Sequence, residues 1–248
     1  MGKSTAVNLV SELLIKNNYS VDFHIEGDPL SPLDLCWIAY LTRDEYDEVL
    51  QRYSVYANDI ADNIVWNGDY ILLRYQNERT PLYPSALYEE LHSKEFCYNP
   101  NNATVLLKKY TDVFLDLWGN YSRSNATDND FGVFDASLVS HMTNDLKRNY
   151  NASPQEISRH LQSLLQSVRE LNPIIFYLYS NDVRSRLIDA RQNRKQTPPT
   201  IEQIKFWEER KRLDLSVLPM LSVKSIMLDV SDNRWGHVIS TMLDKILL

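Results

Sequence analysis

The chain has 248 residues, 44% of them hydrophobic, with 26 basic and 33 acidic side chains and a formal charge of -7. That acidity argues against a broad nucleic-acid surface, although a nucleotide would need only a local positive site. Cys36 and Cys97 make no metal spacing or disulfide framework, no run reaches the roughly 18 apolar residues of a membrane helix, and no signal-peptide pattern is present, so a reduced, cytoplasmic protein without a membrane partner is expected.

Residues 1–5, MGKST, match the end of a phosphate-binding loop, G-x-x-x-x-G-K-[ST], which lies between a strand and a helix. Gly2, Lys3, Ser4 and Thr5 supply that end. The helix follows as STAVNLVSELLIKNN, with Val7, Val10 and Leu14 on one stripe and Leu9 and Leu13 beside it. The free N–H groups of such a helix start suit a phosphate. Lys3 would reach the β and γ phosphates, and the Ser4 hydroxyl would face Mg²⁺. The plainer alternative is that Ser4 or Thr5 only caps the helix. The leading glycine and first strand of the pattern are expected upstream, in about ten further residues; the alternative is a core rebuilt without them. Without them the neighbouring strands would have unpaired backbone groups, and ATP would bind weakly or not at all, because the N–H cradle of the loop is incomplete.

YSVDFHIEGD, residues 19–28, reads as a strand ending in acids and a glycine. Residues 29–60 read as a proline-containing loop followed by helical material, DYILLRYQ (69–76) as a strand, and 85–91 as a short helix. ATVLLKKYTDVFLDLWGNYSRS (103–124) reads as a long helix, TDND (127–130) as a turn and FGVFDASLV (131–139) as a strand. ASPQEISRHLQSLLQSVRELN is a helix with a defined start: Ser153 as cap, Pro154 at the first position and Glu156 three beyond the cap. PIIFYLYS (173–180) has the continuous apolar character of a buried parallel strand. An Arg-rich helix, the breaker QTPPT, a helix over 201–217, the strand VKSIMLDVS and a final helix complete the chain. This alternation predicts an α/β fold with a mostly parallel sheet and helices on both faces.

The order of GKST, helix, EGD strand, insert, acid-ending strand, NPIIFYLY strand and Arg-rich helix resembles the thymidylate-kinase-like branch of P-loop kinases. The segments HIEGDPLSPLD (24–34) and YNASPQEISRHLQSLLQSVRELNPIIFYL (150–178) resemble one poorly characterised group within it. The likeness runs over nearly the whole chain and departs at the first strand and the front half of the phosphate loop. It implies a three-layer P-loop NTPase fold as a single domain over 1–248, with a largely helical substrate-side insert over 29–125 and a lid-like segment over 181–200. It also implies ATP and Mg²⁺ as cofactors and a nucleoside triphosphate and a small acceptor as partners. A homodimer is one assembly open to such a protein.

On that reading Gly2, Lys3, Ser4, Thr5 and Arg194 hold the nucleotide, and Ser4 and Asp135 hold the metal. Lys3, Glu26, Asp28, Arg184 and Arg191 serve catalysis. Glu26 and Asp28 sit where a strand ends, where a carboxylate can take the proton of an attacking hydroxyl; the alternative is an acidic turn around a left-handed Gly27. Asp135 either holds Mg²⁺ or caps the helix after it. Arg184, Arg191 and Arg194 either clamp the transferring phosphate from a closing lid or form an ordinary solvated face. The 15 tyrosines either stack on a ring substrate or, more plainly, pack. The function implied is ATP-dependent phosphoryl transfer to a nucleoside-like, nucleotide-like or other hydroxylated molecule. The competing readings are a nucleotide-binding ATPase switch and a relative with impaired nucleotide binding.

Overall fold

The computed structural model describes residues 2–28, 31–77, 80–97, 105–125 and 128–247. Met1, residues 29–30, 78–79, 98–104 and 126–127, and Leu248 lie outside them, and with them parts of the expected 29–60 loop, the helix start at 103 and the turn at 127. The elements in chain order are α1 (Lys3–Lys16), β1 (Val21–His24), β2 (Ile38–Thr42), α2 (Arg43–Arg52), α3 (Ala57–Asp62), β3 (Ile64–Asn67), β4 (Tyr70–Arg74), β5 (Gln76–Asn77), β6 (Thr80–Pro81) and α4 (Ser85–His92). They continue with α5 (Leu107–Asn125), β7 (Phe131–Phe134), α6 (Val139–Tyr150), α7 (Pro154–Ser167), β8 (Ile174–Tyr179), α8 (Val183–Asn193), α9 (Ile201–Val217), β9 (Lys224–Asp229) and α10 (Trp235–Ile246). The chain is α/β with mixed sheets, and it divides into two compact units. The first comprises 1–26, 111–144 and 152–248; the second comprises 27–110 and 145–151. No helix among the described residues is long and apolar enough to cross a membrane.

The first unit holds two parallel strand pairs. β1 runs beside β7, Val21 opposite Phe131 through His24 opposite Phe134. β8 runs beside β9, Ile174 opposite Lys224 through Tyr179 opposite Asp229. Ala6, Val10 and Leu14 of α1 and Val238, Ile239 and Met242 of α10 form one core. Val21, Phe131 and Val133 from one pair, and Phe176, Leu178 and Leu228 from the other, pack against it. Side chains alternate across a strand, so the remaining residues face the other way and meet other helices. Tyr121 of α5 donates to Asp22, Tyr177 donates to Asp214 of α9, and Lys211 of α9 lies over the Tyr179 ring. The strands are only half covered: Phe23 and Met227 are 43% and 48% exposed. The two pairs form separate sheets, with no ladder between them among the described residues.

Two expectations need correction. Residues 131–139 are not one strand. β7 ends at Phe134, and Ala136 turns the chain with φ +64°, a conformation that costs an L-residue about 1–2 kcal/mol. The stretch 29–125 also holds more strands than the one expected at 69–76. β2, β4 and β3 form an antiparallel sheet in that order. β4 is buried along its whole length, and Ala39, Leu41, Ile71, Leu73, Leu87 and Leu91 build the second unit's core around it. α2 is closed by a capping box between Thr42 and Glu45. Most tyrosines here serve packing: Tyr40 stacks with Tyr70, and Tyr75 meets Tyr88 edge-on.

Candidate functional site

α1 begins at Lys3 with Gly2 as its N-cap, and no side chain caps it. The capping role weighed for Ser4 and Thr5 is therefore not the one seen. Gly2 has φ +85°, and a Cβ placed on it would run into the Trp235 ring. Glycine is needed there for both reasons. The first turn of α1 carries no acidic residue, so the positive end of the helix is not neutralised from within. Lys3 adds a further positive charge at a position where a cation is unfavourable unless an anion is near.

The anionic side comes from the ends of β1 and β7. The Ser4 hydroxyl donates to Asp135, Oγ to Oδ2 2.5 Å. Asp135 is 2% exposed, and its other carboxylate oxygen is buried without a hydrogen-bond partner. A buried acceptor left unmet is costly and points to a missing ligand. A serine hydroxyl beside a carboxylate is the hard-oxygen donor set that suits Mg²⁺. Asp135 therefore fits the metal role better than the helix-capping one.

Two residues after β1, Glu26 pairs with Lys3 at 3.8 Å and with His141 of α6, Nε2 to Oε1 3.2 Å. The His141 hydrogen bond, followed by the positive charges of Lys3, His141 and Arg194, holds the Glu26 carboxyl down at about 2 against its partial burial. Glu26 is therefore anionic at neutral pH and a weak base. His141 carried no signal in the sequence. It reaches Glu26 across 115 residues of chain because the left-handed turn at Ala136 sets α6 directly after β7.

The three arginines of the lid-like segment part company. Arg194 contributes positive charge at Glu26. Arg191 is spent on the Thr197 carbonyl, Nη1 to O 3.1 Å, and Arg184 lies beside Asp182, the residue that caps α8. Asp28 belongs to the second unit, where its carbonyl accepts from the Ser31 N–H. Gly27 has the left-handed φ of +80° weighed for it. The first unit thus assembles Gly2, Lys3, Ser4, Glu26, Asp135, His141 and Arg194, with Thr5 exposed on the first turn.

No protein-family model, no curated protein and no solved structure matches the chain.

Proposed function

We propose that the chain is an ATP-dependent phosphotransferase acting on a small hydroxylated acceptor, built on a three-layer P-loop arrangement. The Ser4–Asp135 pair, with its unmet carboxylate oxygen at the start of a helix, carries this reading. Lys3 and the free N–H groups of α1 would bind the β and γ phosphates. Ser4 and Asp135 would hold Mg²⁺, which when bound neutralises charge on the phosphate oxygens. Arg194 would add positive charge from the segment after α8. Glu26, kept ionised by His141 and Lys3, would accept a hydrogen bond from the acceptor hydroxyl and orient it. A weakly basic carboxylate suffices for that, because a loose phosphoryl transition state asks little of a base.

The test is ADP formation from Mg-ATP in the presence of nucleosides, nucleoside monophosphates and sugars, one at a time. Release that requires one acceptor class, and that falls at least tenfold in Lys3→Ala, is the expected result. Phosphate release indifferent to every acceptor would favour the ATPase-switch reading instead.

A further inference from the structure

In the first unit, the face of α7 turned away from its buried Ile157, Leu161 and Leu164 is polar but almost uncharged. Gln155, Ser158, Gln162 and Gln166 follow one another along it at helical spacing. With Arg159 and Met220 they line a groove of about 490 Å³. A second depression of about 410 Å³ shares Gln162 and Gln166 with the first and extends to Arg169, to the start of β8 and to Lys224 at the start of β9. Among the described residues no acid lines either depression, although acids outnumber bases 33 to 26 in the chain.

The cations of this groove are little used by the chain itself. Arg159 has no ion pair among the described residues, and Glu156, on which its charge acts, is already held by Ser153 in the capping box. Lys224 reaches only the Lys245 carbonyl, at 3.4 Å. Arg169 pairs with Glu170 at 2.8 Å with both side chains well exposed, a contact worth little in water. Gln162 shows what an amide of this stripe can read: its Oε1 accepts from the Ser222 N–H at 2.9 Å and its Nε2 donates to the Ser222 hydroxyl at 2.6 Å. Gln155 and Gln166 make no such bond among the described residues, and each offers N–H donors and a carbonyl acceptor to whatever lies in the groove.

We propose that this groove docks an extended acidic segment of another protein, two of whose carboxylates meet Arg159 and Arg169. The main chain of the segment pairs with the amides of Gln155 and Gln166, as the Ser222 N–H pairs with Gln162. An apolar side chain of the segment lies on Met220, which is 45% exposed. Ten residues at about 1.5 Å each put the two arginines about 15 Å apart, and extended chain rising about 3.3 Å per residue covers that in about four or five residues. Charge selects the partner: a positive groove without acids rejects a basic segment, and the acidity of the chain as a whole turns an acidic one away from other faces. The groove shares no residue with the proposed phosphotransferase site.

The probe is a fluorescein-labelled peptide with two glutamates about four positions apart, a leucine between them and serines elsewhere, followed by anisotropy. The wild-type protein is expected to bind it and to ignore the same peptide with lysines in place of the glutamates. Arg159→Gln and Arg169→Gln, both at exposed positions and so without consequence for folding, are each expected to weaken binding about fivefold or more. Lys3→Ala is expected to retain it, which separates the groove from the start of α1. In the wild-type protein the amide signals of Gln162, Gln166 and Ser222 are expected to move saturably with the peptide. No binding at millimolar peptide, equal binding of the lysine counterpart, unchanged affinity in both arginine variants, loss of binding in Lys3→Ala, unmoved signals at these three residues, or tighter binding of an oligothymidylate of equal charge overturns the proposal.

Discussion

Ser4 and Asp135, 131 residues apart in the chain, are joined by a 2.5 Å hydrogen bond between the first turn of α1 and the residue just past β7. The bond uses one carboxylate oxygen and leaves the other buried and unmet. A group arranged for a ligand should cost stability when the ligand is missing. Asp135→Asn is expected to raise unligated stability by about 1 kcal/mol, because it removes a desolvated charge while keeping a hydrogen-bond acceptor for Ser4. It is also expected to abolish any Mg²⁺ dependence of nucleotide binding. Urea unfolding and metal titration check the two halves. A clear loss of stability in Asp135→Asn would mean that the carboxylate serves structure alone.

Gly2 is a second point at which the start of α1 is exacting. Gly2→Ala places a methyl group against Trp235 at a left-handed φ of +85°. Chirality alone costs about 1–2 kcal/mol there, and the contact adds to it. Combining Gly2→Ala with Trp235→Ala should recover the contact portion and leave the backbone portion. A double-mutant cycle by thermal unfolding reads this, and strictly additive effects would contradict the contact.

His160 of α7 is 3% exposed. It shares a 2.9 Å hydrogen bond with Thr111 and meets the Phe114 ring edge-on. Burial pushes it down from 6.5 to about 4. The unfolded chain therefore takes up a proton at a higher pH than the folded one does. The linked stability is full above about pH 6.5 and is lost as the pH falls toward 4, with a ceiling of about 3 kcal/mol. Denaturant midpoints from pH 7 to 4 should fall in the wild type and fall less steeply in His160→Leu. Parallel slopes would contradict this assignment.

Arg210 and Asp214 form a buried pair on α9, Nε to Oδ1 2.9 Å. Arg210 also donates to the Val139 and Ser140 carbonyls, and Asp214 accepts from Tyr177. Arg210→Ala is expected to cost about 3–5 kcal/mol, because it strands a buried carboxylate and two carbonyls. Arg210→Met with Asp214→Leu should recover much of that loss. A loss below about 1 kcal/mol in Arg210→Ala, the size expected of a solvated surface pair, would contradict the burial.

What could be read in the sequence was what local chemistry encodes. The Ser153–Pro154–Glu156 start of α7 forms the expected capping box, and the apolar run at 174–179 is a parallel strand. The strands near 21, 131 and 224 lie where alternation placed them. β2 and β3 escaped notice. Buried on both faces, IAYLT shows no polar alternation, and its alanine and leucine favour a helix as readily as a strand. Glu26 and Asp28 look equivalent two positions apart, yet they belong to different units. His141 sits in no motif, and only the folded chain puts it against Glu26.

The most direct test of the central claim is a ¹⁵N–¹H titration of the protein with Mg-ATP, carried into the millimolar range, where even binding worth only about 4 kcal/mol is visible. The account predicts that the amide signals of Lys3, Ser4, Thr5 and Asp135 move together and saturate with a common midpoint, and that Ser4→Ala and Lys3→Ala each shift that midpoint at least tenfold upward. Amide signals at these four residues that stay fixed throughout, or that move identically in both variants, would contradict a nucleotide phosphate site at the start of α1.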